Sequence, residues 1–139
     1  MSEAVAAESK APEELSRTLG MQRVIELDGE AGRARIEYLA GMHMCHSGGV
    51  VQGGFVTGWI DAAMAHAAMA ATDFQFTPMS LEIKISFFKP AAPGTVIAEG
   101  WIERRGRSTL FAEGRLLDAK GDVLAKGTST IRLVPRIGD

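Results

Sequence analysis

Two shortages say most about this chain at first sight. It has a single cysteine, Cys45, so no intrachain disulfide can staple the fold, and one thiol fits a reducing cytoplasm. It also has no excess of either charge: 15 Lys and Arg against 17 Asp and Glu leave a formal net charge of -2. That balance removes the electrostatic footprint of a nucleic-acid binder. No basic segment followed by an apolar one opens the sequence, so no secretory signal is read there. Nor is the longest apolar stretch free of ionisable groups. It carries Asp61 and His66 and is preceded by a glycine-rich loop, which argues against a membrane span that its length alone would permit. What is present, 139 residues at 46% hydrophobic and 23% charged, is one domain's worth of an ordinary globular protein, with enough chain to bury a core.

Residues 1–10 are small, polar or charged and read as a flexible tail, leaving a single domain over 11–139. Pro12 opens a short helical pattern with Glu13 and Glu14 in its first turn, Leu15 and Leu19 on one face, and Gly20 as its stop. Met21 to Leu27 reads as a strand and Asp28 to Gly32 as a turn. From Arg33 to Leu39, Ala34, Ile36 and Tyr38 alternate with Arg33, Arg35 and Glu37, the pattern of a half-exposed strand that completes a hairpin. After a central apolar segment, Asp73 to Pro78 breaks the pattern. Four strands follow, over Met79–Lys89, Thr95–Arg104, Arg107–Leu117 and Val123–Val134. The last three are joined by short turns and should be antiparallel neighbours. Leu81, Ile83, Ile85 and Phe87 are expected to face inward, with Trp101 and Phe111 also in the core.

The chemistry concentrates where a loop rich in glycine, Cys45 to Gly54, runs into the Ala- and Met-rich segment Phe55–Thr72. Ala and Met favour helix and no proline interrupts the run. A helix apolar nearly all round is expected to be buried. One carboxylate inside it, Asp61, is costly unless paired or useful. Gly53 and Gly54 leave backbone N–H groups approachable at a helix N-terminus, where negative charge is favoured. Read blandly, the glycines are a tight junction and Asp61 is a structural hydrogen-bonding group. Asp61 follows Gly53 by eight residues and so lies about 12 Å further along the helix. If both serve one reaction, they come from two copies of the helix, antiparallel across a two-fold axis.

The order helix, two strands, long helix, four strands, with Val51-Gln52-Gly53-Gly54 followed by Asp61, resembles the hotdog-fold acyl-CoA thioesterases. The branch it looks most like is PaaI-type, which includes phenylacetate-pathway and 4-hydroxybenzoyl-CoA enzymes. The likeness spans roughly residues 15–134 and includes Arg104-Arg105-Gly106-Arg107-Ser108 and the pattern from Asp118 to Gly127. It implies an α+β hotdog fold: a curved antiparallel six-stranded sheet wrapped round one long central helix, with a short N-terminal helix. It implies a Gly53 N–H donated to the thioester carbonyl, and Asp61 as general base or nucleophile. Gln52 stands where many relatives have His, His46 where many have Asn, and Ser80 matches a Ser or Thr that orients water. Gly54 and Phe55 are expected at the substrate, and homodimers pairing into tetramers follow from the same resemblance. Neither a cofactor nor a membrane or nucleic-acid partner is called for.

Other readings compete. His66 lies about 140° round the helix from Asp61 and reads as a core or interface histidine. His43, Cys45 and His46 lack the carboxylate or second cysteine that would complete a familiar metal set, so no metal is assigned. Cys45 reads as a small buried residue. The loop lacks the Gly-Lys-Ser/Thr of a nucleotide-binding P-loop. Arg105, Arg107 and Ser108 at a hairpin tip are either a solvated turn or a contact for CoA phosphates, which Lys89 could join. Phe55, Trp59, Met64, Phe74 and Phe76 are candidates for the acyl pocket. The rivals to a thioesterase are a non-catalytic acyl-CoA-binding module and, less favoured, an enoyl-thioester hydratase.

Overall fold

The computed structural model describes residues 12–136; the tail expected over residues 1–10 lies outside the described residues. A helix over residues 12–19, α1, leads into β1 (Met21–Asp28) and β2 (Arg33–Ala40). A 3-10 turn, Met42–Met44, precedes a ribbon of β3 (Cys45–His46) and β4 (Val50–Val51), whose strands are joined by a second, Ser47–Gly49. Then come the long helix α2 (Gly53–Ala71) and β5 (Phe76–Phe87), β6 (Gly94–Arg105), β7 (Thr109–Asp118) and β8 (Val123–Pro135). The six long strands form one antiparallel sheet in the order β1-β2-β6-β7-β8-β5. This is the α+β arrangement the resemblance implies, with β6, β7 and β8 adjacent as the short turns required.

The sheet can wrap the helix because its side chains vanish where the two cross. Gly100, Gly114 and Gly127 are in register on β6, β7 and β8, and Ala34 extends the row on β2. A Cβ at Gly100 would lie 2.5 Å from the Ala63 carbonyl carbon and the Met64 nitrogen, both helix backbone. One at Gly114 would lie 2.9 Å from Ile60 Cγ2. Either side of this row the inward residues are larger, and Ile36, Tyr38, Leu110, Leu116 and Ile131 close over Trp59, Ile60 and Met64. Each of these buried side chains contributes roughly 1.5–3 kcal/mol by leaving water. Trp59 also donates its indole N–H to the Leu19 carbonyl at 2.7 Å, which docks α1 against α2.

Several expectations are corrected. The helix is not buried all round. Thr57, Asp61, Ala62, Ala65, His66 and Met69 are only half-buried and form one stripe, because the sheet covers the opposite faces. Leu15 is exposed, and only Leu19 of α1 packs on the core. The last edge strand begins at Phe76 rather than Met79, with Pro78 inside it. Proline is tolerated there because β5 pairs on one side alone, with β8. An irregularity between Ser80 and Glu82 breaks the alternation, so Leu81 is exposed while Ile83 and Ile85 pack inward. Phe87 at the strand's end is exposed as well. Phe111 is 46% exposed, and Trp101 lies half-buried beside the outward-facing Arg115, whose guanidinium is 6.0 Å from its ring centroid.

Candidate active site

The N-terminus of α2 is fixed from two directions. Gly48 and Gly49 have φ of 75° and 74°, a left-handed turn that suits glycine and brings β4 back along β3. Val51 then donates its N–H to the Ala91 carbonyl at 2.9 Å, and Gln52 donates its own to Met44 at 2.9 Å. Gln52 is extended and caps the helix: its side-chain oxygen accepts the Gly54 N–H at 2.9 Å. The neighbouring Gly53 N–H meets no acceptor among the described residues. Gly54 is therefore committed to the cap, and Gly53 carries the donor left unpartnered among the described residues at the positive end of the helix.

Gly53 opens into a pocket of about 370 Å³ whose walls include Val51, Val56, Phe87, Phe88 and Ala91, with His46 and Lys89 as its basic members. Lys89 is exposed and 3.7 Å from Asp122, a surface pair worth little. Phe55 is not in this lining; it packs near Trp59, ring centroids 6.3 Å apart. Trp59 and Met64, candidates for the acyl pocket, are fully buried core, and Phe74 is exposed beyond the helix.

Asp61 belongs to a different place. It sits on the half-open stripe of α2, and Ser80 of β5 donates its hydroxyl to Asp61 Oδ1 at 2.8 Å. The resemblance assigns Ser80 to orienting water; in the structure its hydroxyl is hydrogen-bonded to Asp61, which fixes one carboxylate oxygen. His66 Nδ1 lies 2.7 Å from the Ala62 carbonyl and makes no contact with Asp61. Within one chain Gly53 and Asp61 remain about 12 Å apart along the axis.

The basic hairpin is at the far end. Arg105 donates to the Ala71 carbonyl at 2.8 Å, placing a cation at the C-terminus of α2, where the helix dipole favours it. Arg107 and Ser108 are exposed at the tip. Lys89 therefore does not join Arg105 within one protomer: they lie at opposite ends of a helix of 19 residues. A larger concavity, about 530 Å³, lies on the outer sheet face. Its three arginines lie against two carboxylates, with Arg115 and Arg35 at 2.6 and 2.8 Å from the two oxygens of Glu99 and Arg33 at 3.0 Å from Glu26.

Sequence reasoning missed Phe87, Phe88 and Ala91 as site residues. The dipeptide Phe87-Phe88 before a proline-rich loop was the available signal, but only the sheet order brings that loop to the start of α2.

Comparison with known proteins agrees with this fold. A solved structure of a phenylacetic acid degradation-related protein from Ralstonia eutropha, provisionally a thioesterase, superposes with a TM-score of 0.80 at 29% identity, covering 87% of this chain and 89% of that one. The Escherichia coli PaaI protein superposes with a TM-score of 0.79 at 19% identity over 96% and 91% of the two chains, a likeness of fold. A protein of Saccharolobus solfataricus with a provisional esterase name is 33% identical over 104 residues, 75% of this chain and 72% of its own length. Residues 48–125, more than half of the sequence and including Gly53, Asp61 and Ser80, match the thioesterase superfamily, and the chain belongs to that family, with the PaaI-like hotdog fold.

Proposed function

We propose that this protein is an acyl-CoA thioesterase, hydrolysing an acyl- or aryl-CoA thioester to a carboxylic acid and free CoA. The observation that carries the reading is the pairing of two unlike groups on one helix. These are an N–H at its positive end with no internal acceptor, and a carboxylate on its open stripe held by Ser80. Thioester hydrolysis needs both. The Gly53 N–H stabilises the charge that develops on the carbonyl oxygen. Asp61 as base takes a proton from water while the water oxygen bonds to the carbonyl carbon. The C–S bond then breaks, and the sulfur leaves with that proton. As a nucleophile, Asp61 would instead bond to the carbonyl carbon and expel the thiolate, and water would then hydrolyse the resulting anhydride to the carboxylic acid and free Asp61. Gln52 assists by occupying the competing Gly54 N–H, and His46 lies at the mouth of the pocket.

The separation of about 12 Å makes the working unit a homodimer, in which Gly53 of one subunit faces Asp61 of the other. The half-open stripe of α2 is the face such a pairing would bury. Pairing of such dimers into a tetramer extends the same reading, and Arg105, Arg107 and Ser108 are its candidates for the CoA phosphates. Among the described residues no helix is long and apolar enough to cross a membrane, and the lone cysteine fits a cytoplasmic enzyme.

The test is a panel of acyl- and aryl-CoA esters with released thiol as the readout. Asp61→Asn is expected to lower kcat by about 10²–10⁴-fold with an unchanged melting temperature. Full activity in that variant removes Asp61 from the mechanism, and binding without turnover in the wild type favours a non-catalytic module.

A further inference from the structure

Gly53 is a glycine for a reason its backbone does not supply, since its φ is not in the left-handed region. The reason is Phe87. A Cβ on Gly53 would lie 3.2 Å from Phe87 Cζ and 3.4 Å from Cε1, so the ring edge rests against the residue that carries the free N–H. Phe87 is nevertheless 56% exposed, and its exposed part bounds the pocket at Gly53. The strand end that carries it is anchored, because the Phe88 and Lys89 N–H groups both donate to Leu124, at 2.8 and 3.1 Å. A carbonyl group accepting the Gly53 N–H must therefore lie beside this aromatic wall, with Val51, Val56 and Ala91 among the other residues that line the pocket.

We infer that Phe87 sets the size of the acyl group accepted. The inference rests on the thioesterase reading and adds to it the determinant of specificity. Removing the ring should enlarge the pocket next to the reacting carbonyl and favour bulkier groups. Because a methyl at Gly53 and the ring compete for one space, the two positions should also be coupled.

The experiment measures kcat/KM of the wild type, Phe87→Ala, Phe87→Leu, Gly53→Ala and the Gly53→Ala/Phe87→Ala double variant on acetyl-, benzoyl- and 2-naphthoyl-CoA. Expected is a rise of about tenfold in the naphthoyl-to-acetyl ratio for Phe87→Ala, with Phe87→Leu intermediate. Gly53→Ala, which keeps its N–H, should lose activity that the double variant partly recovers. The leucine variant keeps the site apolar and filled, and so guards against a fold that alanine alone disturbs. A ratio that stays within about twofold in both Phe87 variants, or strictly additive losses in the double variant, overturns the role of Phe87 while leaving the thioesterase standing. A wild type inactive on every ester overturns both readings together.

Discussion

Tyr38 is the chain's one tyrosine, and its hydroxyl is buried with no hydrogen-bond partner among the described residues. The ring packs 5.9 Å from Trp59, so the phenol has been placed for its hydrocarbon and its oxygen is carried along. Burial pushes the phenol's pKa well above its ordinary value, because the phenolate would have to form without water. The sign for stability follows. Above about pH 10 the unfolded chain releases this proton and the folded one does not, so stability falls as pH rises beyond that point. Tyr38→Phe should remove that part of the alkaline loss. At neutral pH it should stabilise the fold by about 1 kcal/mol, since an unpaired buried hydroxyl is no longer desolvated. Guanidinium unfolding at pH 8 and pH 11 measures both effects, and with a single tyrosine the phenolate absorbance belongs to Tyr38 alone. A native phenol titrating near pH 10 would show that the hydroxyl reaches water. Asp61 shows the other side of residue-scale reading. A carboxylate in an apolar segment was visible from sequence as anomalous, but its bond from Ser80 was not, because nothing local links positions so far apart.

At the scale of elements, helix α2 was legible because alanine and methionine favour helix and no proline intervenes. Which of its faces stays open was not legible, since nearly every face is apolar. The sheet decides that through the row of Gly100, Gly114 and Gly127, which admits the helix backbone on one side and leaves the Asp61 stripe on the other. Gly100→Ala is the sharpest probe of this contact, because the added carbon meets helix backbone that cannot rotate away. A loss of about 3 kcal/mol is expected, the upper part of the usual cost of overpacking. It should appear as a fall of roughly 10 °C in Tm. An unchanged Tm would mean that the sheet flexes more easily than close packing implies. Strand β5 misled for an equally local reason. One irregularity at Leu81 shifts the phase of the alternation, and a period-of-two reading has no means of placing it.

At the scale of the whole molecule, the proposed mechanism makes a single chain the holder of two half-sites. Its free donor is at one end of α2 and its carboxylate is near the middle, and the proposed dimer supplies each with its counterpart. Subunit mixing tests this without a structure of the assembly. Asp61→Asn and Gly53→Ala proteins are each expected to be weakly active. Unfolded, mixed in equal amounts and refolded, they should form hybrid dimers carrying one intact site and one doubly defective site. Random pairing makes half of the dimers hybrid, so about a quarter of wild-type activity should return. No recovery on mixing, in a preparation shown by native mass spectrometry to contain hybrids, would place both groups of each site in one subunit.

The sequence by itself determined what short-range chemistry can encode. The α2 segment, the β1–β2 hairpin, the order of the later strands and the singular position of Asp61 all follow from residue type, spacing and turn composition. The tertiary structure decided everything that depends on neighbours distant in the chain. It set Phe87 against Gly53, gave Ser80 to Asp61 and turned Arg105 to the helix C-terminus. The physical reason is that backbone preference and hydrophobic period act over a few residues, whereas the pocket is built where β5 and its following loop return to the start of α2. That meeting is fixed by sheet order and by glycines that allow close approach, and neither is a property of any one segment.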